Sequence, residues 1–190
     1  MKTNYLFTDE NRITATLVSD YYIWITFFGE DNICSLYKSS CFDPNIVYWD
    51  VDVTGDEITS LTQDTTYLYG ALDDVVNIGA KITQLTPTTI TYFIKDVGIT
   101  EKAIDIIIDT SYVYFLTPGV DSGTNAKIVK YNKSTRAYIE TIDLSTVTNA
   151  KKIDIDNSGN LWVVSDEDSI PVLTKVWFSG TWQFSSTTLS

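Results

Sequence analysis

Short apolar runs recur along the whole chain, each broken by a polar tip, and their spacing is that of strands rather than helices. The clearest runs are Ile23-Trp24-Ile25, Tyr67-Leu68-Tyr69, Tyr112-Val113-Tyr114 and Leu161-Trp162-Val163. Each comes after an Ile and a polar residue a few positions earlier: Ile13-Thr14, Ile58-Thr59, Ile104-Asp105 and Ile153-Asp154. Around the third of these the pattern predicts strands near 103–108, 112–117, 126–131 and 137–143. Asp109-Thr110-Ser111 and Asn132-Lys133-Ser134-Thr135 are the expected turns, because Asx and hydroxyl side chains bond nearby backbone there and compete with the strand. Pro118-Gly119 through Gly123-Thr124 is the longer central loop.

The strand groups repeat. Gln63–Tyr69 matches Ile108–Tyr114 at an offset of 45, while Ala80-Lys81-Ile82 against Ala126-Lys127-Ile128, and Tyr92 against Tyr138, keep an offset of 46. The repeat divides the chain into four units, about 12–55, 56–100, 101–147 and 148–190. Four short strands per repeat of about 45 residues is the pattern of a β-propeller blade. The expected fold is therefore all-β and propeller-like, with four blades of antiparallel four-stranded sheets. Residues 1–11 would supply a strand near Tyr5–Thr8 that completes the last blade and removes an exposed sheet edge. The alternative is that four blades form an arc of a larger ring.

Composition fits strands. The chain is 44% hydrophobic and 13% aromatic, with 12 Tyr, and Thr, Ile and Val are abundant. Its formal charge of −12, from 13 Lys+Arg against 25 Asp+Glu, repels phosphate backbones and anionic lipid. Nucleic-acid binding and membrane adsorption are disfavoured on that ground, while carboxylates are available for cations. No window approaches the roughly 18 apolar residues of a membrane span, and the apolar run at Tyr5-Leu6-Phe7 is too short for a secretory signal. Export would then need another route, such as virion assembly or earlier loss of a signal. Cys34 and Cys41 could meet across a hairpin or remain buried thiols, and two cysteines make neither a disulfide scaffold nor a zinc site.

The segment Asp154-Ile155-Asp156-Asn157-Ser158-Gly159-Asn160-Leu161-Trp162-Val163 resembles the D-x-x-G-N-L-W-V hairpin of NHL-type propeller repeats. In that family the Gly-Asn pair turns between inner strands and the aromatic packs between blades. The resemblance implies the fold and carries no activity.

Histidine is absent, which excludes imidazole acid–base catalysis, Ser-His-Asp and Cys-His nucleophiles and His-ligated zinc. No Gly-rich phosphate loop is present. Two arrangements could hold a hard cation such as Ca2+, which takes six to eight oxygens. First strands of blades line a propeller's channel, so Thr14, Thr59, Asp105 and Asp154 would form a ring of two hydroxyls and two carboxylates; plain strand alternation also explains polar residues there. Asp154 through Gly159 also fits the first half of a calcium loop, with Asp156 and Ser158 as turn ligands and Asp166-Glu167-Asp168 close in sequence. Position twelve of such a loop is Ser165, however, and a polar β-turn explains the same residues. A third arrangement is a sugar- or protein-binding face of Trp49, Trp177, Trp182, Tyr37, Tyr48 and Tyr138, although blade interfaces consume most aromatics. Asn132-Lys133-Ser134 is a glycosylation sequon in a turn.

The expectation is a non-enzymatic binding or structural propeller that docks a protein or glycan within a larger assembly, a virion or a cell surface rather than the cytoplasm. The alternative is a lactonase-like hydrolase with a metal held by Asp105 and Asp154 in the channel.

Overall fold

A computed structural model describes residues 12–18, 22–28, 33–40, 53–54, 57–84, 90–96, 98–119 and 124–189. The expected closing strand within 1–11, Cys41, Tyr48 and Trp49 lie outside these residues.

Sixteen strands form four antiparallel sheets of four among the described residues. The first sheet is β1 (Arg12–Val18), β2 (Tyr22–Phe28), β3 (Ile33–Ser40) and β4 (Val53–Thr54). The second is β5 (Glu57–Gln63), β6 (Tyr67–Asp73), β7 (Asn77–Thr83) and β8 (Ile90–Ile94). The third is β9 (Asp105–Ile108), β10 (Tyr112–Thr117), β11 (Ala126–Asn132) and β12 (Tyr138–Leu144). The fourth is β13 (Ala150–Ile155), β14 (Leu161–Glu167), β15 (Ile170–Phe178) and β16 (Trp182–Thr188). Each sheet is a simple up-and-down meander in chain order, the connection that short hairpin loops favour. The first strands pack side by side as β1, β5, β9 and β13, so they are the innermost strands and the sheets fan outward from them.

Alternation along each strand sends one set of side chains to each neighbouring sheet. Trp24 of the first sheet packs with Ile58, Leu68 and Ile82 of the second. Between the second and third sheets, Phe93, Phe115 and Tyr131 meet edge to face with centroids 5.3–5.7 Å apart. Aromatic pairs in this geometry add about 0.5–1.5 kcal/mol each beyond their buried area. Gly79 permits the approach: a Cβ there would lie 2.1 Å from the Phe115 ring. Leu116, Ile128 and Leu144 pack on Ile153, Leu161 and Val176 between the third and fourth sheets.

The register revises the repeat. Tyr69 faces Thr62 and Lys81, and Tyr114 faces Ile107 and Lys130, so the match of Gln63–Tyr69 to Ile108–Tyr114 is structural. The other two anchors are not. Lys81 is equivalent to Lys130 rather than Lys127, and Tyr92 faces Ala80 whereas Tyr138 faces Tyr131. The cause is loop length: β6 and β7 are joined by the tight Asp74–Val76 turn, and β10 and β11 by the longer loop beginning at Pro118.

Candidate functional site

The innermost strands explain where the expected channel ring went. β1, β5 and β13 each carry a bulge, between Ile13 and Ala15, Ile58 and Ser60, and Ala150 and Lys152. A bulge inserts one residue and moves the next residues of the strand to the other face. Thr14 and Thr59 are the inserted residues. Thr14 Oγ1 bonds Thr26 Oγ1 at 2.8 Å, and Thr59 Oγ1 donates to Ala103 O at 2.7 Å. Counting from the aromatics Trp24, Tyr69, Tyr114 and Trp162, the residue equivalent to Asp105 is Ala15, Ser60 or Lys152 in the other sheets. Asp154 instead aligns with Thr62 and Ile107; it is exposed and accepts its neighbour's amide, Ile155 N, at 2.8 Å.

Asp105 is buried, and its oxygens are engaged on both sides. The Ser60 hydroxyl donates to Oδ1, Lys152 Nζ lies 3.3 Å from the same oxygen, and Ile153 N donates to Oδ2 at 2.9 Å. These bonds run from the second sheet through the third to the fourth. Thr14, Thr59, Ser60 and Lys152 border a cavity of about 270 Å³ beside this cluster. Two of the ring's four residues therefore meet there, and the ammonium of Lys152 supplies the positive charge that balances Asp105. Among the described residues, no three carboxylates or cysteines converge as a cation site.

The Asp156 turn is equally well satisfied. Its carboxylate accepts Ser158 N and Asn160 N, both at 2.9 Å, the Asn160 side-chain amide at 2.8 Å and Trp162 Nε1 at 3.1 Å. The bonds from Asn160 and Trp162 hold this carboxyl well below the usual carboxylate range. Gly159 takes a φ of 79°, which glycine adopts without cost. Ser158 contributes its backbone to the turn.

The same turn recurs. Asp64 accepts Thr66 N, Tyr67 N and the Tyr69 hydroxyl; Asp109 accepts Ser111 N, Tyr112 N and the Tyr114 hydroxyl. Each of these aromatics faces a lysine on the third strand of its sheet. Lys81 Nζ lies 3.9 Å from the Tyr67 ring centre, Lys130 Nζ 4.2 Å from Tyr112, and Lys175 Nζ 5.5 Å from Trp162. Lys38 takes the matching register position opposite Trp24. Turn aspartate, aromatic and lysine thus form one recurring unit, in which the cation rests against ring faces. Trp177 flanks Lys175, Trp182 packs at the edge of the core and reaches Lys130, and Tyr138 meets Tyr131 edge to face.

One copy of this unit opens into a cleft of about 630 Å³ between the second and third sheets. Its walls are Tyr67, Tyr69 and Lys81 on one side and the Asn132–Arg136 turn on the other, with Asp64 at the base. Asn132 Oδ1 caps that turn by accepting Ser134 N at 3.0 Å and Thr135 N at 2.8 Å. Lys133 Nζ stands 3.5 Å from Asp64 and donates to Asp109 O at 2.8 Å. Burial pulls the Lys81 ammonium below its ordinary range, and Arg136 and Lys133 push the same way against Asp64. Burial raises the Asp64 carboxyl, but the two backbone amides, the Tyr69 hydroxyl and Lys133 outweigh it and leave the group lowered.

No known protein family matches this sequence, and no curated protein matches it either. Solved structures match its shape. The chain superposes on Kuenenia stuttgartiensis hydrazine synthase with a TM-score of 0.71 at 10% identity, covering 94% of this chain and 54% of that one. YCF48 bound to D1 peptide gives 0.62 at 11% identity, covering 100% and 56%. The computationally designed Ika4 protein gives 0.58 at 12% identity, covering 94% and 92%. The chain has a propeller-type fold. It spans about half the length of the hydrazine synthase and YCF48 chains it matches.

Proposed function

We propose that this propeller is a non-enzymatic docking module that binds a protein or glycan as one component of a larger assembly, such as a virion or a cell surface. The cleft between the second and third sheets carries this reading. It is open to solvent and lined with hydroxyl, amide and cationic groups, a surface that recognises polar partners. The absence of histidine from the whole sequence supports the same reading. So does Ser60, whose hydroxyl is committed as a donor to Asp105. The Asp154–Val163 hairpin, with its turn glycine and its tethered tryptophan, is consistent with NHL-type blades.

Mass measurement on extracts of the native source tests the reading. The protein is expected in a complex well above its own 21.4 kDa, and recovery only as a free monomer overturns it.

A further inference from the structure

We propose that the cleft between the second and third sheets binds a carboxylate-bearing saccharide, with Arg136 as its anchor. The inference rests on the docking reading and names its ligand.

The cleft reverses the charge of the molecule around it. The chain carries −12 overall, yet Lys81, Lys133 and Arg136 face a single carboxylate, Asp64, in this space. Asp64 is internally committed, with two backbone amides, the Tyr69 hydroxyl and Lys133 about it. Lys133 is divided between Asp64 and Asp109 O, and Lys81 donates to Lys133 O at 3.1 Å. Arg136 is different. The residue is half-buried, and its guanidinium, with five donors, has no ion pair or hydrogen bond among the described residues. A planar fork of this kind matches a carboxylate in two parallel bonds. Its backbone holds a φ of 63°, a conformation in which Asn or Gly would be less strained. The next interface differs: Lys130, the equivalent of Lys81, is paired with Glu140 at 3.1 Å, and Trp182 lies against it.

The rest of the lining suits a polyol. Thr83, Ser111 and Ser134 bring hydroxyls that both donate and accept, and Thr91, which donates to Lys81 O, can still accept. The Asn132 amide nitrogen has no partner among the described residues, because only its oxygen is used by the turn. A ring bearing one carboxylate and several hydroxyls uses both features and also donates to the lining oxygens, whereas a phosphate dianion or an acidic side chain only accepts. About 630 Å³ lies within the range of small-ligand sites.

Titration calorimetry on the full chain tests this with four probes: a uronic-acid disaccharide, a sialic-acid trisaccharide, the neutral parent disaccharide and a tetraglutamate peptide. At least one acidic sugar is expected to bind at least tenfold tighter than the neutral one, and more weakly as salt rises. Arg136→Gln is expected to lower that affinity at least tenfold with an unchanged melting temperature, and Arg136→Lys to lower it less. The proposal fails if neither acidic sugar binds, or if Arg136→Gln binds as tightly as the parent. Binding of tetraglutamate alone also overturns it, while leaving the docking reading intact. A free monomer in the native extract would remove that reading instead.

Discussion

The turn aspartates show how much local order one side chain supplies. Asp109 satisfies two amides and the Tyr114 phenol at once, at 2.6, 2.6 and 2.8 Å. Replacing it with Ala leaves those donors without an acceptor, at an expected cost of about 1–2 kcal/mol. Urea denaturation of Asp109→Ala measures this. The same units respond to pH at both ends. Burial, and then the bond to the partner aspartate, raise the Tyr69 and Tyr114 phenols. Their contribution is complete below the unfolded tyrosine value near 10 and is lost as pH rises beyond it. The lowered Asp64 carboxyl has the opposite sign: its contribution is complete above the unfolded value near 4 and disappears as pH falls below it. Melting temperature is therefore expected to decline on both flanks, and Tyr69→Phe to soften the alkaline decline.

Within a strand or hairpin, chemistry acts over a few residues, and the sequence was legible there. The turns at Asp109 and Asn132 formed as their side chains dictate, and the third sheet's strands lie within two residues of the pattern's prediction. Relations between strands were harder to read. Bulges in β1 and β5 displaced Thr14 and Thr59 from the position of Asp105, and nothing in Ile13-Thr14 or Ile58-Thr59 announces an inserted residue. The recurring lysine escaped because unequal hairpin loops place it at a different distance from its aromatic in every sheet. The cleft joins a strand of one sheet to a turn of the next, and no single stretch of sequence contains it. The register also gives Asp105 a structural task. Asp105→Ala strands the Ser60 hydroxyl and the Ile153 amide in a buried place, which should cost about 2–4 kcal/mol. Guanidinium unfolding checks the value, and a neutral effect would show that these strands are held by packing alone.

Taken whole, the molecule is four similar sheets set side by side, and their joints are not alike. Between the first and second sheets, Trp24 Nε1 donates to Gln63 Oε1 at 3.1 Å. The second and third are joined at Thr59, Ser60 and Tyr131, whose hydroxyl reaches Ile94 O at 2.8 Å. The third and fourth are joined at Asp105 and where Ala150 N donates to Pro118 O at 2.8 Å. In arrays of repeats, stability is close to a sum of unit terms and neighbour terms. Asp105 belongs to two neighbour terms at once, which couples the last three sheets into a single opening unit. Native-state hydrogen exchange would read this as one shared opening energy for amides of β6, β10 and β14, which Asp105→Ala would split.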